Sequence, residues 1–348
     1  MDNFYHFLPS AAVGGAPINV MRLILNSDRK KYKHKIYIPN DNDDYIQKLK
    51  YHNIDFTIIP KIRIGLFRFF IEILKIRIND KESFIITHGR GASFFIRPIS
   101  ILFSMKSIHF YRGFTKSYGI KNILLSKILI SIDKLLCRYG ITIAVGIDEK
   151  KIIKRHLLPK RLVKIRNPVP EIIWDKNNKA FDYDFVFIGR RSLQKGYDNA
   201  ILLSKQNPNS KFLWVGAKEG KQFKNQKIPS NLEVCNYMQQ DKIFNSASII
   251  LCTSRWEGCS TVITECVKST KPFLSLNCNG VSEFNIDGIN ENNFYDSIEK
   301  MNEGIRNICK TSQIEIANNL NKHLKKDLCY KNNIKKFYNY AKEYSSNR

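Results

Sequence analysis

Apolar residues follow two alternating rhythms along this chain. Short runs rich in Ile, Val and Phe alternate with longer stretches in which apolar positions return every three or four residues. The short runs read as strands and the longer ones as helices. In the first half, strands are expected at residues 4–8, 35–39, 55–59, 84–87, 107–111, 141–145 and 163–166. Helices are expected between them at 17–25, 43–51, 66–78, 97–105, 120–136 and 149–156. The pattern breaks at Asn167-Pro168-Val169-Pro170 and stays polar and irregular to about residue 182, as an interdomain linker would. It then restarts, with strands at 184–188, 211–215, 231–235, 247–252 and 273–276, helices at 197–205 and 241–246, and another helix after Gly258. A helical, Lys- and Asn-rich tail follows from about 289 to 344. This alternation predicts an α/β protein with two domains.

One helix has two readings. In 120–136, Leu124, Leu125, Ile128, Leu129, Ile132, Leu135 and Leu136 share a face, with Lys127, Ser131 and Lys134 opposite. Core packing is the default expectation. A membrane-surface role is the alternative, because other basic–apolar mixtures occur at residues 61–64 and 71–78.

Composition narrows the partners. The chain of 348 residues is 43% apolar, enough for real cores, and carries a net charge of +26. That surplus invites nucleic acid, anionic membrane or acidic small molecules. Lys, Ile and Asn are abundant throughout, so part of the charge reflects compositional bias. No zinc, helix-turn-helix or aromatic RNA-binding motif accompanies it, so nucleic acid is not an expected partner. The eight cysteines include no C-x-x-C pair, and reduced, mostly buried thiols in a cytosolic protein are expected. The N-terminus lacks a basic signal-peptide region, and no apolar run is long enough to span a membrane.

Candidate chemistry sits where strands end. Ligands of parallel sheets lie at the carboxyl ends of the strands. Three such places occur in the first half: Gly14-Gly15, His88-Gly89-Arg90-Gly91 and Arg112-Gly113-Phe114, with His109 close to the last. Gly14-Gly15 is not a G-x-G-x-x-G fingerprint, and a tight turn explains it equally. In the second half, Gly189-Arg190-Arg191 and Lys195-Gly196 bring cations to one open turn, suited to a diphosphate. Trp256-Glu-Gly-Cys-Ser-Thr-Val-Ile-Thr-Glu265 places Glu257 in a loop and Glu265 two turns into the following helix. Free backbone N–H groups at that helix start suit an anion or a sugar hydroxyl. Cations for phosphates and carboxylates for hydroxyls together describe a nucleotide-sugar site.

These stretches, with Lys271-Pro272 and Asn279-Gly-Val-Ser-Glu283, resemble the C-terminal half of retaining GT-B glycosyltransferases of the glycosyl transferases group 1 set, with its E-x7-E motif. The resemblance implies two Rossmann-like domains facing an interdomain cleft: an acceptor-side domain at 1–166, linker 167–182 and a nucleotide-sugar-binding domain at 183–330. A C-terminal helix, 331–348, would cross back to the first domain. Carried over, Arg190 and Lys195 bind the donor diphosphate, and Glu257 positions the donor sugar with Gly258 and the N–H groups of Cys259 and Ser260. Glu265 takes ribose hydroxyls, and Gly15 lets phosphate or acceptor approach. No metal or cofactor is implied, since the cations neutralise the leaving diphosphate. The family commonly has His where this chain has Arg112, so Arg112 is carried as a catalytic candidate. His88, Arg90, His109 and Arg112 are acceptor candidates. The expected function is transfer from a UDP-sugar to a lipid-linked saccharide of bacterial surface polysaccharide, at the anionic inner face of the plasma membrane. Three alternatives remain: a nucleic-acid binder, an inactive scaffold, and a metal-dependent transferase using Asp182-Tyr-Asp184 or Asp41-Asn-Asp43.

Overall fold

The structure is a computed structural model describing residues 2–11, 15–61, 66–114, 122–177, 180–216, 223, 226–308 and 310–346. The chain forms two compact units, Met1–Pro168 with Cys329–Arg348, and Val169–Leu328.

Unit 1 runs β1 (Asp2–Phe7), α1 (Gly15–Leu25), β2 (Tyr32–Pro39), α2 (Asp43–Tyr51), β3 (Asp55–Ile59), α3 (Leu66–Asn79), β4 (Phe84–His88), α4 (Gly89–Leu102), β5 (Lys106–Phe110), α5 (Ile123–Leu136), β6 (Ile141–Ala144), α6 (Ile147–Leu157) and β7 (Leu162–Lys164). The strands are parallel, in the order β3-β2-β1-β4-β5-β6-β7. The order reverses between β1 and β4, which makes their carboxyl ends a topological switch point. β4 and β5 are buried along their whole length, as strands covered on both faces must be.

Unit 2 runs β8 (Tyr183–Ile188), α7 (Tyr197–Gln206), β9 (Phe212–Val215), β10 (Leu232–Cys235), α8 (Gln240–Ser246), β11 (Ala247–Cys252), α9 (Thr261–Ser269), β12 (Phe273–Leu276), β13 (Phe294–Tyr295), α10 (Ile298–Arg306) and α11 (Lys310–Leu324). Its parallel order is β10-β9-β8-β11-β12-β13, reversing between β8 and β11. Phe187, Tyr197, Trp214 and Leu251 anchor its core. The chain then rejoins unit 1 as α12 (Tyr330–Ser346). Tyr338 stacks on Tyr32 with ring centroids 3.7 Å apart, Phe337 packs on Phe4 and Phe110, and Lys106 Nζ donates to Ser345 Oγ.

Three expectations change. Residues 169–175 are no loose linker. Ile172 N–H donates to Ser269 Oγ, Trp174 Nε1 donates to the Ser269 carbonyl, and Lys271 Nζ lies 3.8 Å from the Trp174 ring centroid. The helix expected at 97–105 starts at Gly89, directly from β4, so His88 is the last strand residue rather than part of an open turn. The third change concerns α5, whose expected core face points mostly to solvent. Leu124, Leu125, Ile128, Ile132 and Leu135 are exposed, while Ser126, Asp133 and Leu136 are buried. The cause lies on α4: Arg90 faces Asp133 at 3.8 Å, and Arg97 donates to the Leu136 carbonyl. The paired carboxylate, and not the apolar stripe, occupies the packed face. No helix among the described residues is long and apolar enough to cross a membrane.

Candidate active site

The best-formed site lies at the carboxyl ends of β8 and β11, where the sheet of unit 2 reverses. β8 ends into Gly189-Arg190, and a short turn brings Lys195 and Gly196 back beneath it. Gly196 is left-handed, at φ +70°, and an added Cβ would lie 2.1 Å from the Thr253 carbonyl oxygen. Only glycine lets this turn press against the end of β11. Thr253 Oγ1 fastens it by donating to the carbonyls of Lys195 and Gly196.

That contact places Lys195 beside Glu257. Nζ donates to Oε1 at 2.5 Å, and Ser254 Oγ donates to the same oxygen at 2.7 Å. Burial alone would lower the Lys195 ammonium. The charge and hydrogen bond of Glu257 outweigh it and hold it above the usual lysine value. The Glu257 loop is pinned in turn. Its N–H donates to the Asn279 carbonyl, and Gly280, at φ +79°, passes so close that a Cβ would meet the Glu257 carbonyl oxygen at 2.5 Å. Lys195, Thr253, Ser254 and Glu257 line a small recess floored by Phe187, Trp214 and Leu251. Arg190 is exposed at its rim, with one 3.3 Å bond to Gln194. Arg191 turns to Asn236 instead.

The rest of the expected donor set is arranged differently. Glu265 lies just over one turn into α9, not two, and is buried; its Oε1 accepts from Gln240 Nε2 at 2.6 Å. Gly258 and Cys259 are buried in the loop. Ser260 is the N-cap of α9, its Oγ accepting from Ile263 N–H. Its own N–H donates to the Gly280 carbonyl, so that group is not the open donor expected from the sequence. Gly15 begins α1 at the switch point of unit 1, and Gly14 lies outside the described residues.

Among the four acceptor candidates, three serve the interior. His109 is fully buried, with Nδ1 against the Thr87 hydroxyl and carbonyl oxygens and its ring edge-on to Tyr111. His88 is buried at the end of β4. Arg90 pairs with Asp133 and lies 4.3 Å from the Phe114 ring centroid. Arg112 remains partly accessible beyond β5, at φ +55°. Its turn is held by Glu149, whose Oε1 accepts from the N–H groups of Gly113 and Phe114 and whose Oε2 accepts from Val145. Sequence reading missed Glu149, Ser254 and Gln240. Each is an ordinary polar residue whose role comes from its folded contacts, at 3 positions for Ser254, 25 for Gln240, and up to 36 for Glu149. Of the two D-x-D matches, Asp41 accepts from Ser10 and Ala11, and Asp184 from Lys211 N–H. Asp41 thus supports a turn, and Asp184 lies within β8.

With two parallel sheets each reversing once, the chain has the GT-B fold. It matches sucrose-phosphate synthase from Thermosynechococcus elongatus with a TM-score of 0.81 over 100% of both chains at 12% identity. It matches Anabaena HepE, solved with UDP-glucose, with a TM-score of 0.78 over 99% of this chain and 100% of that one at 14% identity. TarM of S. aureus, solved in a complex that includes UDP, matches with a TM-score of 0.72 over 98% and 100% at 12% identity. Residues 169–327, nearly all of unit 2, match the family model of glycosyl transferases group 1. A curated relative, an uncharacterised 42.6 kDa protein in the cps region of Klebsiella pneumoniae, is 26% identical over 172 residues, 47% of this chain and 46% of that protein. The match thus spans less than half of that relative.

Proposed function

We propose that the protein is a glycosyltransferase that moves a sugar from a nucleotide-diphosphate donor, a UDP-sugar, to a lipid-linked saccharide of bacterial surface polysaccharide. The observation that carries this reading is the Lys195–Glu257 pair at the switch point of unit 2, with Arg190 exposed beside it. An ammonium has three donors, and Glu257 uses one of those on Lys195. The others, with the Arg190 guanidinium, suit the oxygens of a leaving diphosphate and supply the positive charge that a divalent ion gives in other transferases. Glu257, held by Lys195 and Ser254, is placed to take a sugar hydroxyl. Glu265 takes the ribose hydroxyls by exchanging its Gln240 contact. Retention of anomeric configuration follows from the family resemblance and is read by NMR of the product.

UDP in the HepE and TarM structures supports the choice of donor, and the cps-region relative supports surface polysaccharide as the product. The basic charge and the outward apolar stripe of α5 favour peripheral attachment to the anionic inner face of the plasma membrane.

A thermal-shift panel of UDP-, GDP- and dTDP-sugars tests the donor reading. A ligand at 100 times its Kd adds about 2.7 kcal/mol of stability, so a bound UDP-sugar raises Tm visibly. Glu265→Ala abolishes the shift. If no nucleotide sugar shifts the wild-type protein, the transferase reading fails.

A further inference from the structure

Unit 1 contains a chain of polar side chains that the donor site does not use. Arg112 Nε donates to His88 Nδ1 at 3.2 Å, and its Nη1 donates to Asn167 Oδ1 at 2.5 Å. His88 Nε2 meets His6 Nδ1 at 3.0 Å, and His6 Nε2 meets His34 Nδ1 at 2.9 Å. His34 Nε2 meets the Tyr338 hydroxyl at 2.8 Å. The imidazoles stand on the adjacent strands β4, β1 and β2, and Tyr338 stands on α12.

One assignment of protons satisfies every link. A guanidinium only donates, so His88 Nδ1 accepts and His88 carries its proton on Nε2. That proton makes His6 Nδ1 an acceptor, and His6 Nε2–H does the same to His34 Nδ1. His34 then donates to Tyr338. All three rings are neutral Nε2–H tautomers, and an added proton on any of them sets N–H against N–H. Their environment agrees. Burial holds His6 and His88 well below the ordinary imidazole range, with the Arg112 charge contributing to both, and lowers His34 to about 3.

A neutral acceptor orients a guanidinium without cancelling its charge. Among the described residues, Arg112 makes no ion pair, and Nη2 has no hydrogen bond to protein. Glu149, the carboxylate nearby, directs its oxygens to the three backbone N–H groups. Burial lowers Arg112 to about 10, against the opposing pull of Glu149 and Tyr45. A partly buried cation without an ion-pair partner is costly unless an anion meets it. This one sits just beyond the carboxyl end of β5, next to the switch-point strand β4, on a backbone at φ +55° that a β-carbon disfavours.

We propose that Arg112 receives an anionic group of the acceptor, and that His88, backed by His6, His34 and Tyr338, is the positioning residue that fixes the guanidinium while leaving its charge uncancelled. The word acceptor rests on the transferase reading; the anion site does not. The anion is a phosphate or a carboxylate, whose paired oxygens match a guanidinium. Its sources are a diphosphate lipid carrier or an acidic sugar.

Isothermal titration of the full chain tests this, with UDP saturating so that diphosphate probes stay out of unit 2. The probes are farnesyl diphosphate and methyl glucuronide, with methyl glucoside as the neutral control. One anionic probe is expected to bind at least about tenfold more tightly than the control, and Arg112→Gln to remove that advantage, with UDP affinity unchanged. Which probe wins identifies the source. His88→Asn keeps an acceptor near the Nδ1 position, whereas His88→Gln places its amide near Nε2. Asn is expected to retain affinity, and Gln to lose about tenfold. Histidine ¹⁵N NMR is expected to show His6, His34 and His88 as Nε2–H tautomers at neutral pH. The proposal is overturned if neither anion outbinds the control, if Arg112→Gln changes nothing, if Asn and Gln lose affinity equally, or if any of the three rings carries its proton on Nδ1. If UDP fails to bind, the transferase reading falls while the same titrations without UDP still decide the anion site.

Discussion

Lys195 and Glu257 form an ion pair in a recess where an unpaired charge would be costly. Glu257 raises the Lys195 ammonium despite its burial, so the cation persists through neutral pH for a diphosphate to meet. Lys195→Met leaves Glu257 with Ser254 as its remaining side-chain donor. It is expected to lower kcat/KM by about 10²–10³, or roughly 2.7–4 kcal/mol, the cost of removing one preorganised charge. Steady-state kinetics with the donor from the thermal-shift panel measures this, and a loss under tenfold places the diphosphate elsewhere. Gly196→Ala tests the turn itself. Its left-handed φ and the 2.1 Å approach to the Thr253 carbonyl predict destabilisation of about 1–3 kcal/mol from backbone strain alone, with added loss from the clash. Denaturant unfolding measures the first effect and UDP titration the second. Much of this site was legible in the residues, because glycines and cations at a strand end have few cheap explanations together. Ser254 and Gln240 were not legible. Their partners Glu257 and Glu265 lie 3 and 25 positions away, and no local pattern marks either contact.

At the scale of elements, periodicity identifies a helix but not what covers its face. The spacing of Leu124, Leu125, Ile128, Ile132 and Leu135 is that of a core stripe, yet the structure exposes all five. The deciding residues are Arg90 and Arg97 on α4, which demand Asp133 and the Leu136 carbonyl from α5. The Arg90–Asp133 pair, across 43 positions, fixes which face of α5 meets α4, because breaking a buried pair costs about 3–5 kcal/mol. The strands fared better, since buried apolar runs in alternation leave one sensible architecture. The stripe has Lys127 and Lys134 on the same helix, both exposed. Ile128→Asp with Leu135→Asp is therefore expected to abolish sedimentation with phosphatidylglycerol vesicles at low salt, while UDP binding persists. Equal sedimentation of wild type and double variant would exclude α5 as the membrane contact. Neutral phosphatidylcholine vesicles separate charge from apolar insertion.

At the scale of the whole molecule, the two units differ in how they answer acid. Unit 1 holds His6, His88 and His109, all buried, and the half-buried His34 as neutral rings, each lowered chiefly by desolvation. Their folded values lie below the unfolded value of about 6.5, so below that pH the unfolded chain takes up protons that the folded unit refuses. Stability thus falls on acidification, by about 1.4 kcal/mol per pH unit for each ring still neutral. Glu149 works in the opposite direction, because burial raises its carboxyl, but it is one group against four. Unit 2 has its own sensitivity in a different window. Burial lowers Lys271 to about 7, so its effect develops as pH falls from the free lysine value of about 10.4 to 7 and adds no slope below. Acid from pH 6.5 to 4 is therefore expected to unfold unit 1 first. All three tryptophans, Trp174, Trp214 and Trp256, lie in unit 2 and report it alone, whereas dichroism reports both units. Far-UV circular dichroism should fall before tryptophan emission shifts, and a bound UDP-sugar should delay only the second change. Coincident transitions, or tryptophan emission shifting first, would mean that the buried histidines of unit 1 do not set the acid limit. His6→Phe with His34→Phe should move the dichroism midpoint to lower pH, because two of the four refused protons are then gone.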